Sequence, residues 1–129
     1  MIGVTGTNGK TSTTYFMESI LNTIGHKTGV IGTVETRIGG KKRDIKFATS
    51  TTPDTLDLNA ILKLMADENV EDLVMEVSSH GLALKKVDGI DFNIGIFTNL
   101  TQDHLDFHKT METTALLRLN CSKCVRLVL

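Results

Sequence analysis

The feature that most restricts how this chain folds is Gly6-Thr7-Asn8-Gly9-Lys10-Thr11, a glycine-rich turn between an apolar MIGV and a stretch with helical patterning. A strand, a glycine turn and a helix opening on Lys-Thr-Ser make a βα unit, whose strand calls for parallel neighbours. Such a turn presents several backbone N–H groups and a helix N-terminus to an anion. Lys10 adds a mobile positive charge suited to the β- and γ-phosphates of a nucleotide, and the Thr11 hydroxyl suits Mg²⁺. The full phosphate-loop pattern has a glycine at position 4, where this chain has Val4, so the match is G-x-x-G-K-T. The plainer alternative is a helix start after a flexible turn.

Phe16, Ile20 and Ile24 recur every four residues with Met17 and Leu21 beside them. That period predicts a helix from Thr11 with this stripe as its apolar face and Gly25 as its stop. Lys27 to Val34 reads as a second strand, and Glu35 to Thr49 as a hairpin or loose excursion around Gly39-Gly40. Pro53, the one proline, is placed just inside a second helix start, continued by Leu58, Ile61, Leu62 and Met65. Asp72 to Val77 and Asn93 to Thr98 are the third and fourth apolar strands. The expected fold is α/β, a mostly parallel sheet with flanking helices. Ligands of such sheets sit beyond the carboxyl ends of the strands. TGTNGKT, EVSSHG and TNLTQDHLD each follow an apolar strand and are expected to meet on that edge.

Composition narrows the partners. The length of 129 residues suits one small domain, and 40 % hydrophobic with 22 % charged residues is ordinary for a globular protein. Fourteen basic against fifteen acidic side chains point to neither nucleic acid nor a membrane surface, and no obligate protein partner is evident. No apolar run approaches the ~20 residues of a membrane span, and no signal-peptide core opens the chain, so a cytoplasmic location is expected.

Glu76 closes an apolar strand, where a carboxylate is costly unless paired or metal-bound. It either holds Mg²⁺ or turns outward as the strand ends. Ser78 and Ser79 suit helix caps. His104 and His108 lie four apart in DHLDFH, but no H-E-x-x-H glutamate accompanies them. A single metal-ligating or water-positioning His104 is the economical reading, with an ordinary loop histidine as its alternative and the preferred reading of His108. His26 reads as a surface residue. Cys121 and Cys124 form a C-x-x-C with no second pair to complete a metal site.

GVTGTNGKTSTT, STTPDTLDL, VMEVSSHGLAL and IFTNLTQDHLDFHKTME, in this order and spacing, resemble the central ATPase domain of the Mur ligases, over residues 2 to 112. The likeness is to the branch that adds the third amino acid, lysine or diaminopimelate, to UDP-N-acetylmuramoyl-L-Ala-D-Glu in peptidoglycan synthesis. It implies that ATP phosphorylates the dipeptide carboxylate and that the incoming amine attacks the acyl phosphate. By position it implies that Gly6, Thr7, Asn8, Gly9, Lys10, Thr11 and Ser12 hold ATP, and that Lys10, Glu76 and His104 are catalytic. It further implies that Thr11, Glu76 and His104 serve Mg²⁺, and that Thr51, Thr52 and Ser78 contact the UDP-muramoyl dipeptide. Lys86 stands where the family usually has an arginine, keeping the charge without the bidentate fork.

The family pattern continues as N-Y-x-x-A-K-x-x-L-F after DHLDFHxTME, with its lysine falling at Arg118. Here residues 113 to 129 read TTALLRLNCSKCVRLVL instead. A one-base deletion accounts for this. GAA-AAC-TAC, encoding Glu-Asn-Tyr, loses an A to give Glu112-Thr113-Thr114. Shifting the tail back one base allows Ala at 117 and Lys at 118, forces Leu at 121 and, with TCN for Ser122, gives Phe or Leu at 122. The expectation is residues 1–112 as the N-terminal half of the central domain and 113–129 as an out-of-frame tail. On that expectation the chain is inactive alone as a ligase, and the alternative to a ligase fragment is a non-catalytic ATP-binding remnant.

Overall fold

The computed structural model describes residues 1–45, 51–101 and, as backbone, 126–128. In chain order the elements are β1 (Ile2–Thr5), α1 (Lys10–Thr23), β2 (Thr28–Ile31), β3 (Thr36–Ile38) and β4 (Lys41–Arg43). They are followed by α2 (Thr55–Asp67), β5 (Asp72–Glu76), α3 (Ser79–Ala83), β6 (Ile94–Phe97) and β7 (Arg126–Val128). One sheet runs β4-β3-β2-β5-β1-β6-β7. From β2 to β7 the pairing is parallel, and β3 and β4 add an antiparallel hairpin turning at Gly39-Gly40. The expected α/β class holds: the second and fourth apolar strands are trimmed at both ends, the third loses Val77, and the first shifts by one to Ile2–Thr5. β7 is a strand the sequence reading did not anticipate. Lys41, Lys42 and Arg43 place charge along the edge strand, which discourages further pairing there.

Alternation of side chains assigns the two sheet faces. Leu73 and Met75 point toward α2, where Leu58, Ile61 and Met65 are buried with Ile31, Val77 and Phe92. The predicted stripe on α2 is therefore the packed one. Its start differs: Asp54, in extended conformation, is the N-cap and Leu58 N–H bonds its carbonyl at 2.8 Å. Pro53 thus lies before the cap, outside the helix.

On the other face Ile2, Val4 and Val74 form a smaller cluster against Met17 and Leu21 of α1. Of the predicted stripe, Met17 and Leu21 pack against the sheet, whereas Phe16, Ile20 and Ile24 are 69 %, 56 % and 62 % exposed. The buried positions of α1 are Thr14 and Glu18. A polar tie explains the rotation. Arg37 on β3 donates from Nε to Glu18 Oε1 at 3.0 Å, from Nη1 to Glu35 Oε1 at 2.9 Å and from Nη2 to the Gly40 carbonyl at 2.8 Å. Tyr15 donates to the same Glu35 oxygen at 3.0 Å, with the guanidinium 5.4 Å from its ring centre. Glu18 is about 160° around the helix from both Phe16 and Ile20, so turning Glu18 inward turns them out. The Arg37 guanidinium holds the Glu35 carboxyl below its ordinary range. Gly25, at φ 91°, ends the helix as expected.

Candidate nucleotide and metal site

At the end of β1 the chain turns at Gly6 with φ 142°, and a Cβ there would lie 2.0 Å from Thr98 Oγ1. Only glycine fits. The loop is strapped down by the segment that follows β6. Thr7 N–H bonds the Asn99 carbonyl at 3.0 Å. The Asn99 side chain brackets the backbone of Asn8, accepting its N–H at 2.9 Å and donating to its carbonyl at 3.0 Å. Thr98 donates to that same carbonyl at 2.7 Å, and Thr101 N–H bonds the Thr7 hydroxyl at 3.0 Å. Because Asn99 engages the amides of Thr7 and Asn8, the donors left for an anion are those at the head of α1. Gly9 begins that helix with no side-chain cap. Lys10 folds back over the turn, its Nζ donating at 2.9 Å to the carbonyls of Gly6 and Thr7.

Glu76 ends β5 on the α1 face, two residues beyond Val74. It is 1 % exposed, so the outward-turned alternative is ruled out. Its carboxylate lies over Gly32, where an added Cβ would sit 2.4 Å from Oε1. Thr33 takes both of its oxygens, with N–H to Oε1 at 3.1 Å and Oγ1 to Oε2 at 3.0 Å. The same hydroxyl is hydrogen-bonded to Thr51 Oγ1, 3.0 Å away, so its one proton serves both the carboxylate and Thr51. Next in line, Thr52 donates to the Glu76 carbonyl at 3.3 Å and accepts the Ser78 N–H at 3.0 Å. Ser78 caps α3, its Oγ accepting the Gly81 N–H at 3.0 Å, so one of the two predicted caps is found.

These residues suit a hard divalent cation. Among the described residues no lysine, arginine or histidine ion-pairs with Glu76, which leaves a buried negative charge without a positive partner. A carboxylate and a threonine hydroxyl are the oxygen donors that Mg²⁺ selects.

At the carboxyl edge TGTNGKT and the described TNLT touch directly, and EVSSHG follows β5, the parallel neighbour of β1. The remainder of the third cluster, residues 102–106, lies outside the described residues. Lys86 ion-pairs with Asp54 at 2.7 Å, beside the start of α2. His26 is exposed and bonds Asp72 at 2.5 Å, matching its surface reading. His104, His108, Arg118, Cys121 and Cys124 lie outside the described residues. Sequence reasoning placed Thr98, Asn99 and Thr101 in the TNLTQDHLD cluster without individual roles, and missed Thr33 because it read 27–34 as strand, whereas β2 ends at Ile31.

Residues 4–119 match the family described as Mur ligase middle domain. The chain belongs to the Mur ligases. Among curated relatives, a Bacillus cereus UDP-N-acetylmuramoyl-L-alanyl-D-glutamate–2,6-diaminopimelate ligase is 52 % identical over 112 residues, covering 87 % of this chain and 22 % of the relative. The Clostridium tetani ligase of that name is 55 % identical over the same length and coverage. This Mur ligase chain therefore spans about a fifth of the length of those relatives. A solved structure of a ligase so named superposes with TM-score 0.82 at 31 % identity, covering 97 % of this chain and 25 % of that one. Escherichia coli FolC in complex with DHPP and ADP shares the fold, with TM-score 0.71 at 21 % identity over 91 % of this chain and 33 % of that one. Among the described residues of this Mur ligase chain, no helix is long and apolar enough to cross a membrane.

Proposed function

We propose that this chain is the nucleotide-binding part of a cytoplasmic ligase that adds the third amino acid to UDP-N-acetylmuramoyl-L-Ala-D-Glu, with ATP as the energy source. The relatives' names favour diaminopimelate as that amino acid. The observation that carries the reading is a glycine loop heading a helix with no side-chain cap, on the same sheet face as a buried Glu76 that no cation among the described residues ion-pairs.

In this reading the ATP phosphates sit at the loop from Gly6 to Ser12, held by the backbone donors at the head of α1. Lys10 exchanges its two carbonyl partners for phosphate oxygens, and its charge offsets that developing on the transferred phosphoryl group. Thr11, Glu76 and His104 would hold Mg²⁺, which neutralises phosphate charge when bound. Thr51, Thr52, Ser78 and Lys86 orient the dipeptide so that its carboxylate meets the γ-phosphate in line. The carboxylate oxygen bonds to phosphorus as the bond to ADP breaks. The amine then forms the amide and releases phosphate.

Residues 113–129 carry the out-of-frame tail, and 1–112 the in-frame half of the domain. Sequencing the locus checks that division, which fails if no downstream frame encodes the remainder of a ligase. Calorimetric titration of ADP into the 129-residue chain, with and without Mg²⁺, checks the site. Lys10→Ala is expected to weaken binding by about tenfold, the scale of one charge-assisted hydrogen bond. An absence of ADP binding to the unsubstituted chain overturns the proposal.

A further inference from the structure

We propose that Thr33, seated beside Gly32 at the end of β2, is a positioning residue that fixes the Glu76 carboxylate for a divalent cation and links it to Thr51. The inference rests on the metal role of Glu76 proposed above and adds the residue that orients it.

Three observations carry it. First, Thr33 is the described partner of both carboxylate oxygens, through N–H at 3.1 Å and hydroxyl at 3.0 Å, which fixes the plane of the group and not only its position. Each carboxylate oxygen has a second lone pair, so both contacts leave room for a cation. Second, Gly32 lies on the face that Glu76 occupies, and a Cβ would meet Oε1 at 2.4 Å. The seat is thus a bare backbone stretch followed by a two-donor residue, and any side chain at 32 would push the carboxylate off it. Third, the Thr33 hydroxyl is also hydrogen-bonded to Thr51 Oγ1, 3.0 Å away. Thr51 leads into Thr52, which is bound to the Glu76 carbonyl and to Ser78. The hydroxyl chain Thr51–Thr33–Glu76 therefore joins the loop before α2 to the carboxylate. Groups that orient a ligating carboxylate change metal affinity when removed, typically by 10- to 100-fold.

Thr33 is exposed and makes no core contact that its truncation would empty, so its substitution leaves the hydrophobic core intact. Thr33→Val keeps the shape and removes the hydroxyl, while Thr33→Ser keeps the hydroxyl. The test is Mn²⁺ binding to the 129-residue chain with ADP, read by the electron paramagnetic resonance of free Mn²⁺, together with ADP affinity in EDTA. Thr33→Val is expected to weaken Mn²⁺ about tenfold, with Thr33→Ser within about threefold of the unsubstituted chain and ADP affinity in EDTA unchanged in both. Equal Mn²⁺ affinity for Thr33→Val and the unsubstituted chain overturns the proposal. So does a parallel loss of ADP affinity in EDTA, which marks a merely structural role. If the unsubstituted chain shows no Mn²⁺ site that Glu76→Gln removes, the metal reading itself fails and this inference fails with it.

Discussion

On the α2 face, Leu58, Ile61 and Met65 meet Ile31, Leu73 and Met75, whereas on the α1 face Ile2, Val4 and Val74 share the interface with Thr14, Glu18 and the Arg37 tie. Apolar packing gives α2 most of its hold on the sheet but little directional preference, because dispersion and water exclusion are nearly isotropic. Hydrogen bonds from a planar guanidinium specify an angle. α1 carries the glycine loop at its head, and its rotation decides where Lys10 and Thr11 sit. The helix that must be aimed is the one held by directional contacts.

If this contrast is right, equal truncations on the two faces have unequal effects. Leu58→Ala empties a fully buried position and is expected to lower unfolding stability by about 3–4 kcal/mol. Ile20→Ala, removing a comparable side chain from the 56 % exposed stripe of α1, is expected to change it by less than about 0.5 kcal/mol. Chemical denaturation of the two variants compares them directly. A large loss at Ile20 would mean that the stripe, and not the Arg37 tie, seats the helix.

Arg37→Ala probes the tie itself. It leaves Glu18, whose side chain is 5 % exposed, without its cation. Breaking a fully buried pair costs about 3–5 kcal/mol; with the guanidinium 25 % exposed the expected loss is about 2 kcal/mol. Its distinguishing mark is functional: ADP affinity falls along with stability, because the loop at the head of α1 is no longer aimed. Leu58→Ala lowers stability more and leaves ADP affinity near its original value under folding conditions. The same two-by-two comparison of stability and affinity would fail if both variants lost affinity in proportion to stability.

The faces also differ in how far sequence pattern reveals them. α2 was legible because Leu58, Ile61, Leu62 and Met65 repeat at helical spacing and the buried members of that stripe face the core. For α1 the same periodicity located the helix, but only the Met17 and Leu21 edge of the stripe faces the sheet. The deciding contact comes from Arg37, 19 residues from Glu18 in the chain, and no local pattern encodes it. The site divides in the same way. Gly6 to Thr11 and Glu76 stand out in the sequence as candidates because residue type at a strand end marks them. Asn99 and Thr33 act through partners 91 and 43 residues away, so their roles appear only once parallel strands bring those ends together.

The smallest expected effect lies at the opposite edge of the sheet, away from both interfaces. His26, just past the end of α1, bonds Asp72 at the start of β5, and this hydrogen bond raises the imidazole above its ordinary value. Glu71 adds to the same direction. A group whose folded value is raised binds its proton more tightly in the folded chain. Its contribution is therefore complete below the unfolded value of about 6.5 and disappears as pH rises through the folded value. The unsubstituted chain is expected to melt higher than His26→Gln at pH 5.5, with the gap closing by pH 8.5. Because the ring is exposed and the pair screened, added salt shrinks the pH 5.5 gap as well. A gap that persists at pH 8.5 would mean that neutral hydrogen bonding, and not the charge on His26, ties the end of α1 to β5.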